Sequence, residues 1–312
     1  MIKELVVVFK NLTTMITPSF NDIFYHCDFV EINALARKGR GLDKDYLEEL
    51  YPKKTHDDFT NLFSLIVARS NWYGEKYPFI VNYDDMRLTL KSDLTIGNKL
   101  YIFFLLCTRN EKVNYEGNVL ESDFEYISTL ALKKYLPEGA MVYHFGKSSY
   151  SEDRYIGKLV DKLLLLANDI KCMPTFDAGD FSDHDTGDGG LDVVAWVPFT
   201  NDTHNYMNIP VFLGQCAIGQ NWTGKHYDVE KMKDNIRFPV GTASMMYVSH
   251  DLRKDTGKFK STVSRAHMLF DRFRLVNQIC DDPVIMEKIK TLNSFMNIIS
   301  EVTKEDADIL EV

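Results

Sequence analysis

The chain has 312 residues, 45% of them hydrophobic, enough to bury one large core or two small ones. Its formal net charge of −9 argues against free, tight, non-specific binding of duplex DNA, which calls for a basic excess that only a local patch or a partner could supply here. Val6 to Phe9 is too short for a signal peptide, and the longest apolar run, Leu100 to Cys107, is far below the ~20 residues that span a bilayer.

A soluble protein is therefore expected. Cys27, Cys107, Cys172, Cys216 and Cys280 are scattered, odd in number and without metal-ligand spacing, which reads as reduced thiols in a cytoplasm. In chain order, helical pieces are expected near Ile2–Leu12 and Lys44–Leu50, with a break at Gly39 to Gly41. Phe59, Leu62, Phe63, Ile66 and Val67 recur at helical spacing and predict an amphipathic helix over 57–70. Tyr77 to Val81 is extended around Pro78, and Leu88 to Leu90 reads as strand. Leu100 to Cys107 is buried strand or helix, which periodicity cannot separate. A loop is expected from Lys112 to Val119.

Ser122-Asp123-Phe124-Glu125 fits a capping box, with Ser122 as N-cap and Glu125 at N3, opening a helix that Pro137 and Gly139 end. Met141 to Phe145 reads as strand, Gly146 to Ser151 as turn, Tyr155 to Ala167 as helix. Five aspartates (Asp177, Asp180, Asp183, Asp185, Asp188) crowd the next loop. Gly187 to Gly190 is a turn signal before the apolar strand Leu191 to Val197. After a polar loop, Thr200 to Asn208, comes a second apolar strand, Val211 to Ile218. Further on, a surface helix is expected over His226–Ile236, a strand over Ser244–Val248, a helix over Val263–Ile279, and a last helix from Pro283 through Ile299. The mixture is α/β.

The chemistry gathers around the two central strands. Asp192 sits in one apolar row, where an ionised carboxylate costs several kcal/mol unless something cationic meets it. Gln215 shares a face of the next strand with Val211, Leu213 and Ala217. Two carboxylates and an amide oxygen are what a hard ion such as Mg²⁺ wants, and Mg²⁺ can activate water against a phosphodiester. Glu125 is the upstream carboxylate and Lys225 the nearest amine.

The order helix-Glu125, Gly190-Leu191-Asp192 strand, Gln215 strand, then helix resembles the PD-(D/E)xK, or restriction-endonuclease-like, nuclease core. Phe124-Glu125, Phe145-Gly146, Gly190 to Trp196, Gln215-Cys216-Ala217, Asn221-Trp222, Lys225 and Asp271 to Leu275 are also similar to a group of bacterial proteins of that superfamily associated with genome-defence loci. The resemblance covers roughly residues 120–275. It implies a central mixed sheet flanked by helices, placed over 116–312; the order of expected elements sets a boundary near 115, with a mostly helical region over 1–115 ahead of it. It implies metal-dependent DNA cleavage with Mg²⁺ or Mn²⁺ held by Glu125, Asp192 and Gln215, and Lys225 as the amine, with DNA and a subunit of a defence complex as partners. Glu152 and Asp161 are alternatives to Glu125. One position departs from the family: the lysine two residues after the Glu or Gln is here Ala217. Either the amine has migrated, or the fold survives as a non-cleaving subunit for DNA sensing or assembly.

Other readings stand beside these. Glu125 serves helix capping alone, or Asp192 pairs with a basic side chain, or Gln215 bonds loop backbone. Asp183, Asp185 and Asp188 fail the calcium-loop spacing, since Gly187 and Val194 would occupy ligand positions. His184 and His226 are lone histidines near the site. Arg272 and Arg274 touch phosphate or, more in keeping with the composition, pair with the acidic surface; Trp196 and Trp222 pack. Gly219 to Lys225 matches G-x-x-x-x-G-K, a P-loop pattern, which keeps a nucleotide-binding protein as a lower alternative even though His226 replaces the hydroxyl that binds Mg²⁺.

Overall fold

The structure, a computed structural model, describes residues 23–108, 119–146, 153–182, 184–199, 208–259 and 267–303. It is mixed α/β. In chain order the described elements are α1 (Ile23–Ala36), α2 (Lys44–Leu50), α3 (His56–Tyr73), β1 (Phe79–Asn82), β2 (Arg87–Leu90), α4 (Ile96–Cys107), α5 (Val119–Tyr135), β3 (Met141–His144), α6 (Leu159–Asp169), β4 (Met173–Pro174), β5 (Val193–Trp196), β6 (Val211–Ala217), α7 (Asp228–Asn235), β7 (Ile236–Arg237), β8 (Ala243–Val248), β9 (Met268–Phe270), α8 (Arg272–Ile279), α9 (Pro283–Lys290) and α10 (Asn293–Thr303). No described helix is long and apolar enough to cross a membrane. The Ile2–Leu12 helix, the boundary near 115 and most of the loops at 112–119, 146–151 and 200–208 lie outside the described residues.

By their contacts the described residues form two compact units interleaved along the chain. The first takes Met1–Leu120, Ser249–Val263 and Asp271–Val312; the second takes Glu121–Val248 and Ser264–Phe270.

In the first unit, α1 is buried on all sides, 12 of its 14 residues being inaccessible. A helix with no wet face carries no apolar stripe, and for that reason hydrophobic periodicity does not reveal it. Two of its buried residues are acids one turn apart, Asp28 and Glu31. Arg69 of α3 donates to Asp28 at 2.7 Å and to Glu31 at 3.0 Å. Arg272 of α8 lies 3.0 Å from Asp28 and 3.5 Å from Glu31. The hydroxyls of Tyr101 and Tyr77 donate to Glu31 at 2.7 and 3.0 Å, and His250 Nδ1 is 3.2 Å from Asp28. Burial opposes ionisation of Asp28, but Arg272 and Arg69 outweigh it and hold the carboxyl below its usual range.

Arg272 is thus neither a phosphate contact nor a surface ion pair: it is fully buried, and only Arg274 is exposed. The helix expected over 263–279 also divides. Residues 268–270 form β9, and α8 begins only after Asp271, whose carboxylate caps it by accepting the Arg274 N–H at 3.1 Å. The last helix breaks between α9 and α10, where the Thr291 hydroxyl donates to the Lys288 carbonyl at 2.7 Å. The apolar run at 100–107 is helix, opened by the Thr95–Asn98 capping box.

The second unit is built on a five-stranded sheet in the order β3-β5-β6-β8-β9, whose first two pairings are antiparallel and last two parallel. Leu159, Leu163 and Leu166 of α6 and Val229 and Met232 of α7 pack with Val194, Trp196, Val211 and Leu213 in its core. By strand alternation Asp192 continues the Val194–Trp196 row, and Gln215 continues the Val211–Leu213 row. The polar pair therefore ends the apolar face that the two helices cover. Helix α5 starts at Val119, so Ser122 and Glu125 are interior, and Glu125 is not a capping-box residue.

Breaking a buried ion pair leaves an uncompensated charge and costs about 3–5 kcal/mol. Arg272→Met is expected to lose that much in urea unfolding, whereas Arg274→Ala stays within about 1 kcal/mol of the parent. Equal losses would contradict the buried role of Arg272.

Candidate active site

Backbone geometry fixes Asp192 first. Its N–H donates to the Gly214 carbonyl at 2.9 Å, and its own carbonyl accepts the Phe145 N–H at 2.7 Å, so the residue is held from both neighbouring strands just ahead of β5. The turn before it needs glycine at 190: φ is +85°, and a Cβ there would stand 3.0 Å from the Asp228 carbonyl. With Val193 opposite Gly214, Asp192 falls opposite Gln215.

The side chains meet. Asp192 Oδ2 accepts the Cys216 N–H at 2.6 Å and the Gln215 Nε2–H at 2.8 Å. Asp192 is 2% exposed, and no described cation forms an ion pair with it. Burial pushes its pKa well up, the charges of Glu125 and Asp188 push the same way, and the Cys216 N–H and Lys225 pull back. Gln215 Oε1 is buried and accepts no hydrogen bond among the described residues. A lone buried carbonyl oxygen of this kind costs about 1–3 kcal/mol.

Glu125 comes from α5 and is 8% exposed. Its Oε2 is 3.1 Å from His144 Nε2, and His144 Nδ1 is 3.0 Å from Asp153 Oδ2. Burial alone would keep the imidazole neutral; the hydrogen bonds to Asp153 and Glu125 win and raise it to about 9. The ring thus lies between two carboxyl groups whose hydrogen bonds favour its charged form. Gly146 seals this contact, since a Cβ at that position would lie 2.2 Å from Glu125 Oε2.

Helix α6 contributes Lys162, 2% exposed, whose Nζ donates to the carbonyls of Phe145 at 3.2 Å and Gly146 at 3.4 Å. Burial lowers its pKa, against the opposing charges of Asp188, Asp185, Asp192 and Glu125. Lys225 is half-buried in a 3-10 segment, Gln220–Tyr227, near enough to act on the Asp192 charge.

Asp192 and Gln215 are therefore directly joined, and Glu125 and Lys225 lie within their electrostatic reach. Asp161 is exposed on the outer side of α6, and Glu152 lies outside the described residues. Asp185 and Asp188 accept the N–H groups of Gly187 and Gly190 at 2.8 and 2.7 Å, so they make turns. His184 is exposed, and Trp196 and Trp222 are buried in packing. The P-loop look-alike is wound into 3-10 turns, which direct N–H groups along the coil rather than around a phosphate.

Sequence reasoning did not find His144, Asp153 or Lys162. One signal for Lys162 was present: it sits three residues after Leu159 and four before Leu166, inside the apolar stripe. As donors, two carboxylates and an amide oxygen suit a hard, oxygen-seeking cation. Among the described residues, no three His, Cys, Asp or Glu side chains are grouped closely enough to hold one by themselves, so such an ion would draw on Gln215 Oε1.

A histidine whose pKa is raised on folding adds stability that is complete below about 6.5 and is lost as pH rises through about 9. The unfolding free energy is expected to fall across that window by about 3 kcal/mol, and His144→Gln is expected to lack the slope. An unchanged slope in that variant would show that His144 does not gain its proton from this clamp. Compared with protein-family models, curated proteins and solved structures, the chain matches none of them.

Proposed function

We propose that the chain is a metal-dependent DNA endonuclease with a restriction-endonuclease-like core in its second unit, acting as an effector of bacterial anti-phage defence. One observation carries the reading. Among the described residues, a buried carboxyl group pairs with no cation and stands against an amide whose carbonyl oxygen accepts no hydrogen bond. Unlike a structural ion pair, that arrangement leaves carboxyl and amide oxygen unspent. The mixed sheet flanked by helices supports the fold assignment, as does the order of Glu125 helix, Asp192 strand, Gln215 strand and following helix. The defence role rests on the sequence resemblance alone.

Asp192, Glu125 and Gln215 are the residues that would hold Mg²⁺ or Mn²⁺. Such an ion, when bound, supplies an activated water and charge stabilisation at the phosphodiester. The protein's own part is orientation. The Cys216 and Gln215 N–H groups fix one oxygen of Asp192 and leave the other without a hydrogen bond among the described residues. His144 and Gly146 fix Glu125. Lys225, the amine expected from sequence, supplies positive charge toward Asp192.

A second reading has its own observation. Ala217, two residues beyond Gln215, is fully buried, so the strand offers no amine there. A catalytically inactive nuclease-fold subunit, sensing DNA or assembling with a partner, answers to that feature and to the acidic charge.

Asp192→Asn separates the two. It removes a buried ionisable group whose charged form burial disfavours while keeping the shape, so its melting temperature is expected to match or exceed that of the parent. Mn²⁺ is expected to raise the melting point of the parent and not of the variant, and plasmid cleavage is expected to drop at least about 100-fold. Cleavage at the same rate by both proteins, or no response of the parent to Mn²⁺ or Mg²⁺, rejects the nuclease.

A further inference from the structure

Resting on the nuclease reading, we infer that Lys162 of α6, rather than Lys225, is the cation that faces the scissile phosphate. The strand position two residues after Gln215 is Ala217 and holds no amine, and Lys225 is only half-buried. Lys162 is 2% exposed and stands in the inward stripe of α6 between Leu159, Leu163 and Leu166. A buried ammonium there needs a reason, because an apolar side chain would pack at lower cost.

Its contacts supply the reason. An ammonium has three N–H donors. Those of Lys162 reach only the Phe145 and Gly146 carbonyls among the described residues, at 3.2 and 3.4 Å, and it also lies 5.1 Å from the centre of the Phe145 ring. Four carboxylates, Asp188, Asp185, Asp192 and Glu125, act on its charge, yet none forms an ion pair with it within the described residues. The backbone that anchors it also frames both acids: Phe145 N–H binds the Asp192 carbonyl at 2.7 Å, and Gly146 packs against the Glu125 carboxylate. Lys162 is thus fixed beside the acids without being neutralised by them, and its charge is left for an anion that comes from outside. On the proposed reading that anion is a phosphodiester oxygen. A structural cation in this chain looks different, since Arg69 and Arg272 contact their carboxylates directly.

The test compares parent, Lys162→Met, Lys225→Met and Asp192→Asn in plasmid cleavage with Mn²⁺, with calorimetric Mn²⁺ titration and thermal melts. Lys162→Met is expected to melt no lower than the parent and to bind Mn²⁺ at least as tightly, because a positive charge beside the acids is gone. It is expected to lower kcat at least about 100-fold, with a smaller change in KM, and to lose more activity than Lys225→Met. If Lys162→Met melts lower, Lys162→Gln, which keeps donors for the two carbonyls, is read in its place by the same criteria. Parent-like cleavage by the Lys162 variant beside a dead Asp192→Asn overturns the role of Lys162 and leaves the nuclease standing, as does a larger loss in Lys225→Met. Absence of both Mn²⁺ binding and cleavage in the parent overturns the two together.

Discussion

Taking a carboxylate out of water costs several kcal/mol unless cations or hydrogen-bond donors replace its hydration. The chain meets this constraint in two different ways. In the first unit, Asp28 and Glu31 face Arg69 and Arg272, and two tyrosines and a histidine take up the remaining acceptor positions. Acids and guanidinium groups balance, and the network ties α1, α3 and α8 into one core. In the second unit, Asp192 has one backbone and one side-chain amide to lean on and, among the described residues, no guanidinium. The same chain can therefore neutralise a buried acid fully when stability is the purpose. That Asp192 is left short is the physical argument for a function there.

The backbone around the acids is what makes the shortage tolerable. Asp192 is a ladder residue, tied to β6 through its N–H and to the end of β3 through its carbonyl, so its backbone is fixed, and its carboxyl is held by the Cys216 and Gln215 N–H groups. Glu125 is restrained from the side by His144 and Gly146. Rigid elements with locked rotamers are the way binding groups are kept in place before a ligand arrives. On the proposed reading, a buried acid at such a place exchanges stability for activity.

The parts of this arrangement that the sequence reveals are those carried by local pattern. The Gly-rich turn, the two apolar strands and the misfit polar residues Asp192 and Gln215 could all be read from spacing, because a strand's period of two puts a polar intruder in plain view. Helix α1 could not be read, since burial on every side erases periodicity, and neither could the strand at 268–270, whose three residues are defined only by pairing with β8. Glu125 was found for a reason that the fold removes: its helix starts a turn earlier than the capping box implied. Long-range pairing hides the rest. His144 gains meaning only from Glu125, 19 positions upstream, and from Asp153, 9 downstream. Lys162 looks like a solvated helix lysine until α6 is turned with its leucines inward. Arg272 erred in the opposite direction, an apparent surface charge that became part of a core.

The choice of glutamine at 215 follows from the same constraint. A glutamate there would place a second negative charge directly across the ladder from Asp192, with Glu125 and Asp188 already raising the cost of ionisation. Glutamine keeps an oxygen of similar reach and adds an N–H that stabilises Asp192 when nothing else is bound. Its two ends do opposite work: Nε2 holds the acid, and Oε1 is left over. On the proposed reading this lets the site exist without an ion at tolerable cost and still offer three oxygen donors when one arrives. It also makes the site less negative than a three-carboxylate site, so a buried cation can stand nearby without collapsing into an ion pair. The lack of an ion pair to Lys162 among the described residues and the amide at 215 are then two consequences of one electrostatic compromise.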